Sequence, residues 1–229
     1  MARLPKRKLI IAIDGPAGSG KSTTAKVLAQ KLNLPYIDTG AMYRAVTLKA
    51  MQKNIPFSNI NRLAQIAKKI RIRFVEASGS VGQRIFLDGR DVTEKIRTPE
   101  LTRNVFRVAQ EPLIRREMVK KQRELGLKKG AVMEGRDIGT VVFPKADFKF
   151  YFEADLRIRT KRRSKDLISA GAPLPALAQV RRDIRRRDRH DKTRFEGPLR
   201  CAKDAIRMDT SSLTIAQTAD RILRIVGKK

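Results

Sequence analysis

The chain has 229 residues, with 52 Lys and Arg against 23 Asp and Glu, so it carries a net charge of +29; 41% of it is apolar. Such a chain suits one domain with a buried core and is not intrinsically disordered. One cysteine, Cys201, excludes an internal disulfide framework, and no run of about 18 apolar residues could cross a membrane.

The basic start, Arg3–Lys8, precedes only Leu9–Ile13 before Asp14 interrupts, so a secretory apolar stretch is missing and a cytoplasmic protein is expected. Leu9–Ile13 itself, short and fully apolar, predicts a buried parallel strand. A Gly-rich turn follows, then helical spacing over Thr23–Leu32. Pro35–Ile37 predicts a second strand ending at Asp38, and Gly40–Met51 returns to helical spacing. Strand, turn, helix, strand, helix opens a parallel α/β sheet. From Lys68 to Thr93 the pattern changes: Ile70, Ile72 and Phe74 alternate with Arg71 and Arg73, and Arg84–Leu87 runs into Asp88-Gly89, which predicts a small antiparallel hairpin unit. Leu101–Leu127 reads as helix punctuated by Pro112, Ala131–Met133 and Phe148–Phe152 as buried strands. Leu156 onward reads as a basic helix broken by Gly171–Pro175, and Gln179–Arg189 as a second basic helix. Ile215–Val226 reads as a final apolar helix, preceded by the helix-start residues Asp209, Thr210 and Ser211.

Gly15-Pro16-Ala17-Gly18-Ser19-Gly20-Lys21-Ser22, followed by Thr23, fits G-x-x-x-x-G-K-[ST] in full. Glycines let backbone N–H groups turn inward on phosphate oxygens, and the helix beginning near Lys21 adds its positive end. Lys21 would reach the β- and γ-phosphates, and the Ser22 hydroxyl would ligate Mg²⁺. Lying between a buried strand and a helix, the motif predicts a nucleoside triphosphate site. A motor or helicase would need a clear second carboxylate strand, for which Phe148–Phe152 followed by Glu153 is a weak match. A kinase whose acceptor is itself a phosphate needs arginines between two anions and no general base, because the acceptor oxygen is already ionised. The only histidine is His190.

Three further clusters fit that picture: Tyr36–Arg44, Glu134–Thr140 and Arg187–Arg194. The first two put polar groups just past strand ends, where ligands bind in open parallel sheets. Taken alone, Tyr43 and Arg44 read equally as a helix face, and Arg187–Arg194 as a solvated, salt-bridged helix.

Together these residues resemble the cytidylate kinases, a branch of the nucleoside monophosphate kinases. The resemblance runs from Leu9 to Val226 through GPAGSGKST, YIDTGAMYR, IRTPE, EPLIRREM, EGRDIGTVVFP and RDRHDKTR–PL–A–DA–MDTSSLT. It implies a P-loop NTPase three-layer α/β fold with a central parallel sheet. The core would span about 9–50, 96–156 and 195–229, a small α+β acceptor-binding insert about 51–95, and a helical lid about 157–194. It implies ATP-dependent phosphorylation of CMP, and of dCMP too, with Mg²⁺. Gly15 through Thr23 would hold ATP. Arg44 and Arg136 resemble the arginines on the CMP phosphate, and Arg187 and Asp191 the pair near ribose and phosphate. Arg115, Asp137 and Arg194 resemble the residues that recognise cytosine, while Thr39 and Tyr43 would line the acceptor pocket. Catalysis would rest on Lys21, Arg136, Arg187 and Arg194. By chemistry, Asp38 is a candidate for holding Mg²⁺ through water. Arg159, Arg162 and Arg163 are candidates for the ATP side, although three arginines in one turn cannot all face it.

Two positions depart from the family pattern. Phe106 stands where family members carry a serine that contacts the base, so Phe106→Ser is expected to tighten CMP binding. His190 stands where some relatives carry arginine, and no role is assigned to it. The alternatives are a related kinase acting on UMP or AMP and a nucleic-acid-binding NTPase. The latter finds no support in aromatics, which are 5% of the chain with no Trp. A monomer is expected, with no membrane or nucleic-acid partner. Residues 157–194 hold 14 Lys and Arg against 4 Asp and Glu, about a third of the surplus charge in a sixth of the chain.

Overall fold

A computed structural model describes residues 8–76, 83–169 and 175–227. The arm Met1–Arg7 and most of the Gly171–Pro175 break lie outside the described residues. Five strands form one parallel sheet: β1 (Ile10–Asp14), β2 (Tyr36–Asp38), β6 (Ala131–Gly135), β7 (Phe148–Glu153) and β8 (Ile206–Asp209), in the order β2-β6-β1-β7-β8. β1 is central and fully buried, because its alternating side chains feed two cores. Ala12 packs with Met133 and the apolar faces of α2 (Thr39–Gln52) and α5 (Pro112–Lys129). Ile11 and Ile13 pack with Phe150, Phe152 and the apolar faces of α1 (Lys21–Lys31) and α8 (Ile215–Val226). Helices on both faces of a parallel sheet give three layers.

The register decides where the chemistry lies. Asp14 pairs with Gly135 on one side and Tyr151 on the other, and Asp38 pairs with Glu134. Every strand therefore ends at the same edge, with the phosphate loop following β1 and the Glu134–Asp137 segment following β6.

The predicted hairpin unit is a three-stranded antiparallel sheet, β3 (Ile72–Glu76), β4 (Gln83–Leu87) and β5 (Arg90–Asp91), and Asp88 and Gly89 both take positive φ in the β4–β5 turn. Its helix α3 (Ile60–Lys69), capped by the Asn59 side chain on the Arg62 N–H at 3.1 Å, is absent from the sequence reading. So is β8, an edge strand whose side chains are largely exposed and which therefore lacks an apolar run. The predicted cap of the last helix is also corrected: Asp209 ends β8, and Thr214 caps α8 in a reciprocal box with Gln217. Pro112 does divide the long helical stretch, into α4 (Pro99–Ala109) and α5. The segment 157–194, expected as a lid, contains most of the helix pair α6 (Leu156–Ser169) and α7 (Leu177–Thr193).

Candidate active site

The loop Gly15–Gly20 closes tightly over the end of the sheet. A Cβ at Gly15 would run into the Phe152 carbonyl oxygen, and its φ of 152° is one that side chains rarely adopt. The Ser19 hydroxyl donates to the Pro16 carbonyl at 3.0 Å, and Thr210 Oγ1 donates to the Ser19 carbonyl at 2.9 Å, tying the loop to the segment after β8. Lys21 folds over the loop, its Nζ donating to the Pro16 carbonyl at 2.7 Å. Burial, and then the like charges of Arg136 and Arg187, lower its ammonium pKa to about 7.

Glu134, to which the sequence reading gave no role, lies beside the loop. Its Oε1 accepts from the Tyr36 hydroxyl at 2.6 Å, while Thr39 Oγ1 donates to its carbonyl oxygen at 2.7 Å. Burial and the charge of Asp38 raise its carboxyl, and Lys21, Ser22 and Tyr36 pull it back. Asp38 caps α2, its Oδ1 accepting from the Ala41 N–H at 2.9 Å. The Ser22 hydroxyl, Asp38 and Glu134 together form a hard-oxygen set of the kind Mg²⁺ takes. The described residues contain no group of three or more acidic, His or Cys side chains able to hold a metal, so an ion here would need further ligands from outside the protein. Glu134 opens the EGRDIGTVVFP motif, but its place beside the loop depends on β6 inserting between β1 and β2 from far along the chain.

Past β6 the arginines gather. Arg136 Nε donates to Asp191 Oδ2 at 2.6 Å, and Arg44 donates to Thr102 Oγ1 at 2.8 Å and to the Ile96 carbonyl at 3.1 Å. Burial and neighbouring Arg187 lower the Arg44 pKa to about 9. Arg187 itself is lowered by burial and by Arg136, and has no hydrogen-bond or ion-pair partner among the described residues. A partly buried set of guanidinium groups with Asp191 as its main counter-charge is an environment suited to an anion. Next to it lies a second cluster. Arg115 and Asp137 form a buried ion pair, Arg194 donates to Asp137 Oδ1 at 3.3 Å, and the Arg115 guanidinium sits over the Tyr43 ring at 5.6 Å. Gly197 covers this cluster at φ 58°, where any Cβ would strike both Asp137 and Arg115, and its carbonyl accepts from Arg194 Nε at 2.6 Å.

The structure therefore brings together Lys21, Ser22, Thr39, Tyr43, Arg44, Arg115, Arg136, Asp137, Arg187, Asp191 and Arg194. The lid arginines divide. Arg159 is committed to the protein, donating to the carbonyls of Ala154 (3.0 Å) and Ala17 (3.1 Å) and to Asp188 Oδ2 (2.6 Å). Arg162 is held by Thr210 and Leu213. Arg163 has no hydrogen-bond or ion-pair partner among the described residues, and its charge reaches Arg44 and Arg187. Phe106, 37% exposed, stacks on His190 of the lid with ring centroids 5.1 Å apart.

Residues 11–228 match the sequence profile of the family described as Cytidylate kinase. The chain is 45% identical over 224 residues to the cytidylate kinase of Bacillus subtilis (strain 168), covering 98% of this chain and 99% of that one. It is 46% identical to that of Anoxybacillus flavithermus, covering 98% of both. Its fold is similar to the crystal structure of an uncharacterized protein from Eubacterium ventriosum, with a TM-score of 0.52, 13% identity, and coverage of 96% of this chain and 99% of that one.

Proposed function

The chain belongs to the cytidylate kinase family, and on that premise we propose that it transfers the γ-phosphoryl group of ATP to CMP and dCMP, yielding ADP and the cytidine diphosphates. The observation that carries this reading is the adjacency of two sites. The phosphate loop and the arginine cluster are close enough for Arg136 and Arg187 to depress the Lys21 ammonium. Such an arrangement suits transfer between two bound anions.

In this reading an acceptor phosphate oxygen, already ionised, attacks the γ-phosphorus while the bond to the β–γ bridging oxygen breaks and ADP leaves. No base is needed. Lys21 would leave the Pro16 carbonyl for the β- and γ-phosphates, and the loop amides of Gly15–Thr23 would hold the rest of the chain of phosphates. Arg44 and Arg136 would grip the acceptor phosphate, and Arg187, Arg194 and Arg163 would stabilise charge spreading over the group in flight. Asp191 would keep Arg136 oriented until phosphate arrives. Cytosine presents an amino donor beside O2 and N3 acceptors, and the Asp137 carboxylate with Arg115 and Arg194 would satisfy that set. Ser22, Asp38 and Glu134 would hold Mg²⁺, whose bound form screens the negative charge of the phosphates. Closure of α6 and α7 would exclude water from the γ-phosphoryl group. Arg159 and Arg162, fixed by protein oxygens, would serve ATP by bracing the loop rather than by direct contact.

The test is incubation of the protein with MgATP and, separately, CMP, dCMP, UMP and AMP, measuring ADP and diphosphate. Turnover with CMP and dCMP well above UMP and AMP is expected. Turnover with UMP or AMP alone, or ATP hydrolysis stimulated only by polynucleotide, contradicts the reading.

A further inference from the structure

Asp14 is the last residue of β1 and the one immediately before the phosphate loop, yet its side chain points away from the loop's own amides. Its Oδ1 accepts from the Ile138 N–H at 2.8 Å and its Oδ2 from the Gly139 N–H at 2.7 Å. These are the first two amides of a π-helical turn, Ile138–Val142, closed by the Val142 N–H on the Asp137 carbonyl at 3.2 Å and the Phe143 N–H on the Ile138 carbonyl at 2.7 Å. A single wide turn cannot satisfy its own leading N–H groups, and single π turns persist where something outside them holds them. Here the holder is a buried carboxylate 124 residues earlier in the chain. The residues just before the turn are Arg136 and Asp137, one from the acceptor-phosphate cluster and one from the cluster with Arg115.

We propose that Asp14 is a positioning residue, its carboxylate fixing the Ile138–Gly139 turn and thereby the placement of Arg136 and Asp137 relative to the phosphate loop. The inference rests on the kinase reading above and adds a residue to it. Asp14's own backbone is locked from both sides, paired with Gly135 in β6 and Tyr151 in β7. Loss of the carboxylate would thus release the turn and leave the donor loop in place. The two subsites should respond differently, and this asymmetry separates positioning from general destabilisation.

The test is Asp14→Asn, which keeps the volume but turns one acceptor into a donor facing an N–H. The KM for CMP is expected to rise about tenfold or more, with the KM for ATP within about twofold of the wild type, as loss of one charge-assisted hydrogen bond at the acceptor side implies. Amide exchange at Ile138 and Gly139 should accelerate with the rest of the sheet still protected. Asp14→Glu keeps the charge but moves the carboxylate by one methylene off the two N–H groups. It should raise the KM for CMP in the same direction, by less. Should Asp14→Asn fail to fold, Asp14→Glu carries the test, with the same asymmetry between the two KM values expected. Equal rises in both KM values, or unchanged kinetics with only a lowered melting temperature, would overturn the proposal. A wild-type protein with no activity on CMP sinks the kinase reading instead, and the exchange measurement still decides whether Asp14 holds the turn.

Discussion

Lys21 sits where the Gly15–Gly20 loop meets Arg136 and Arg187, and its chemistry reflects both. Buried beside Arg136 and Arg187, its ammonium titrates near 7. Bound triphosphate would restore the charge, because an opposite charge favours the protonated form. Above that pH the free protein holds Lys21 largely neutral, so ATP binding should take up a proton. Calorimetry in buffers of different ionisation enthalpy at about pH 8 should report uptake approaching about one proton per ATP, shrinking as pH falls below about 7. Absence of buffer dependence at the higher pH would contradict this picture of the site. Asp137 makes a second residue-level case. It neutralises Arg115, which is only 2% exposed, and Arg194 as well. Asp137→Ala would leave Arg115 without a carboxylate and Arg194 with only Asp191 at 4.0 Å, and denaturant unfolding should show a loss of about 3–5 kcal/mol. Gly197→Ala intrudes on the same pair without removing a charge. It should raise the KM for CMP well above any change in the KM for ATP, measured under saturating concentrations of the other substrate.

At the scale of elements, the C-terminal end of α7 and its cap Arg194 are joined to the rest of the site by four contacts within about two turns: Asp188 with Arg159, His190 with Phe106, Asp191 with Arg136 and Arg194 with Asp137. The Phe106–His190 stack changes what Phe106→Ser would report. The substitution adds a hydroxyl on the acceptor side of α4, one turn from the Thr102 that accepts from Arg44, and it also removes an aromatic contact worth about 0.5–1.5 kcal/mol to the lid. The two effects separate in a His190→Ala background, where the stack is already gone. There Phe106→Ser should tighten CMP binding, and an unchanged or weaker affinity would show that this position does not face the base.

Much of this architecture is legible in the chain. The apolar run before GPAGSGKS marks β1 and its loop, and Pro112 marks the break between α4 and α5. Alternation with Asp-Gly marks the small sheet. What escapes is whatever depends on non-local neighbours. β8 has no apolar run because only one side of it is paired, and Thr210 looks like a helix cap until the strand before it is seen to place its hydroxyl on Ser19. Glu134 heads a sequence cluster but carries no readable role there, and Asp14 reads only as the end of an apolar run. They become site residues only because β6 slots between β1 and β2 and its following turn folds back over β1. Arg159 and Arg162, expected on the ATP side, also donate to protein oxygens of Ala154, Ala17, Asp188, Thr210 and Leu213 that no local pattern announces.

For the whole molecule, the surplus charge of +29 has two parts. One is the partly buried arginine set, where burial and then like charges lower Arg44 and Arg187. The other is exposed, as along the outer face of α7, where Arg181, Arg185 and Arg189 have no acidic partner among the described residues. Both raise the local concentration of anionic substrates, and only the exposed part is screened by salt. Between about 0.05 M and about 0.5 M salt, kcat/KM for CMP should fall severalfold with kcat nearly constant, checked by steady-state rates at fixed free Mg²⁺. A fall in kcat with kcat/KM unchanged would place the effect in the chemistry rather than in encounter. Transfer between two bound nucleotides can be followed with ATP labelled in its γ-phosphate. With CMP present, the label should appear in the β-phosphate of CDP, with little in inorganic phosphate. Label released wholly as inorganic phosphate, with none in CDP, would contradict it.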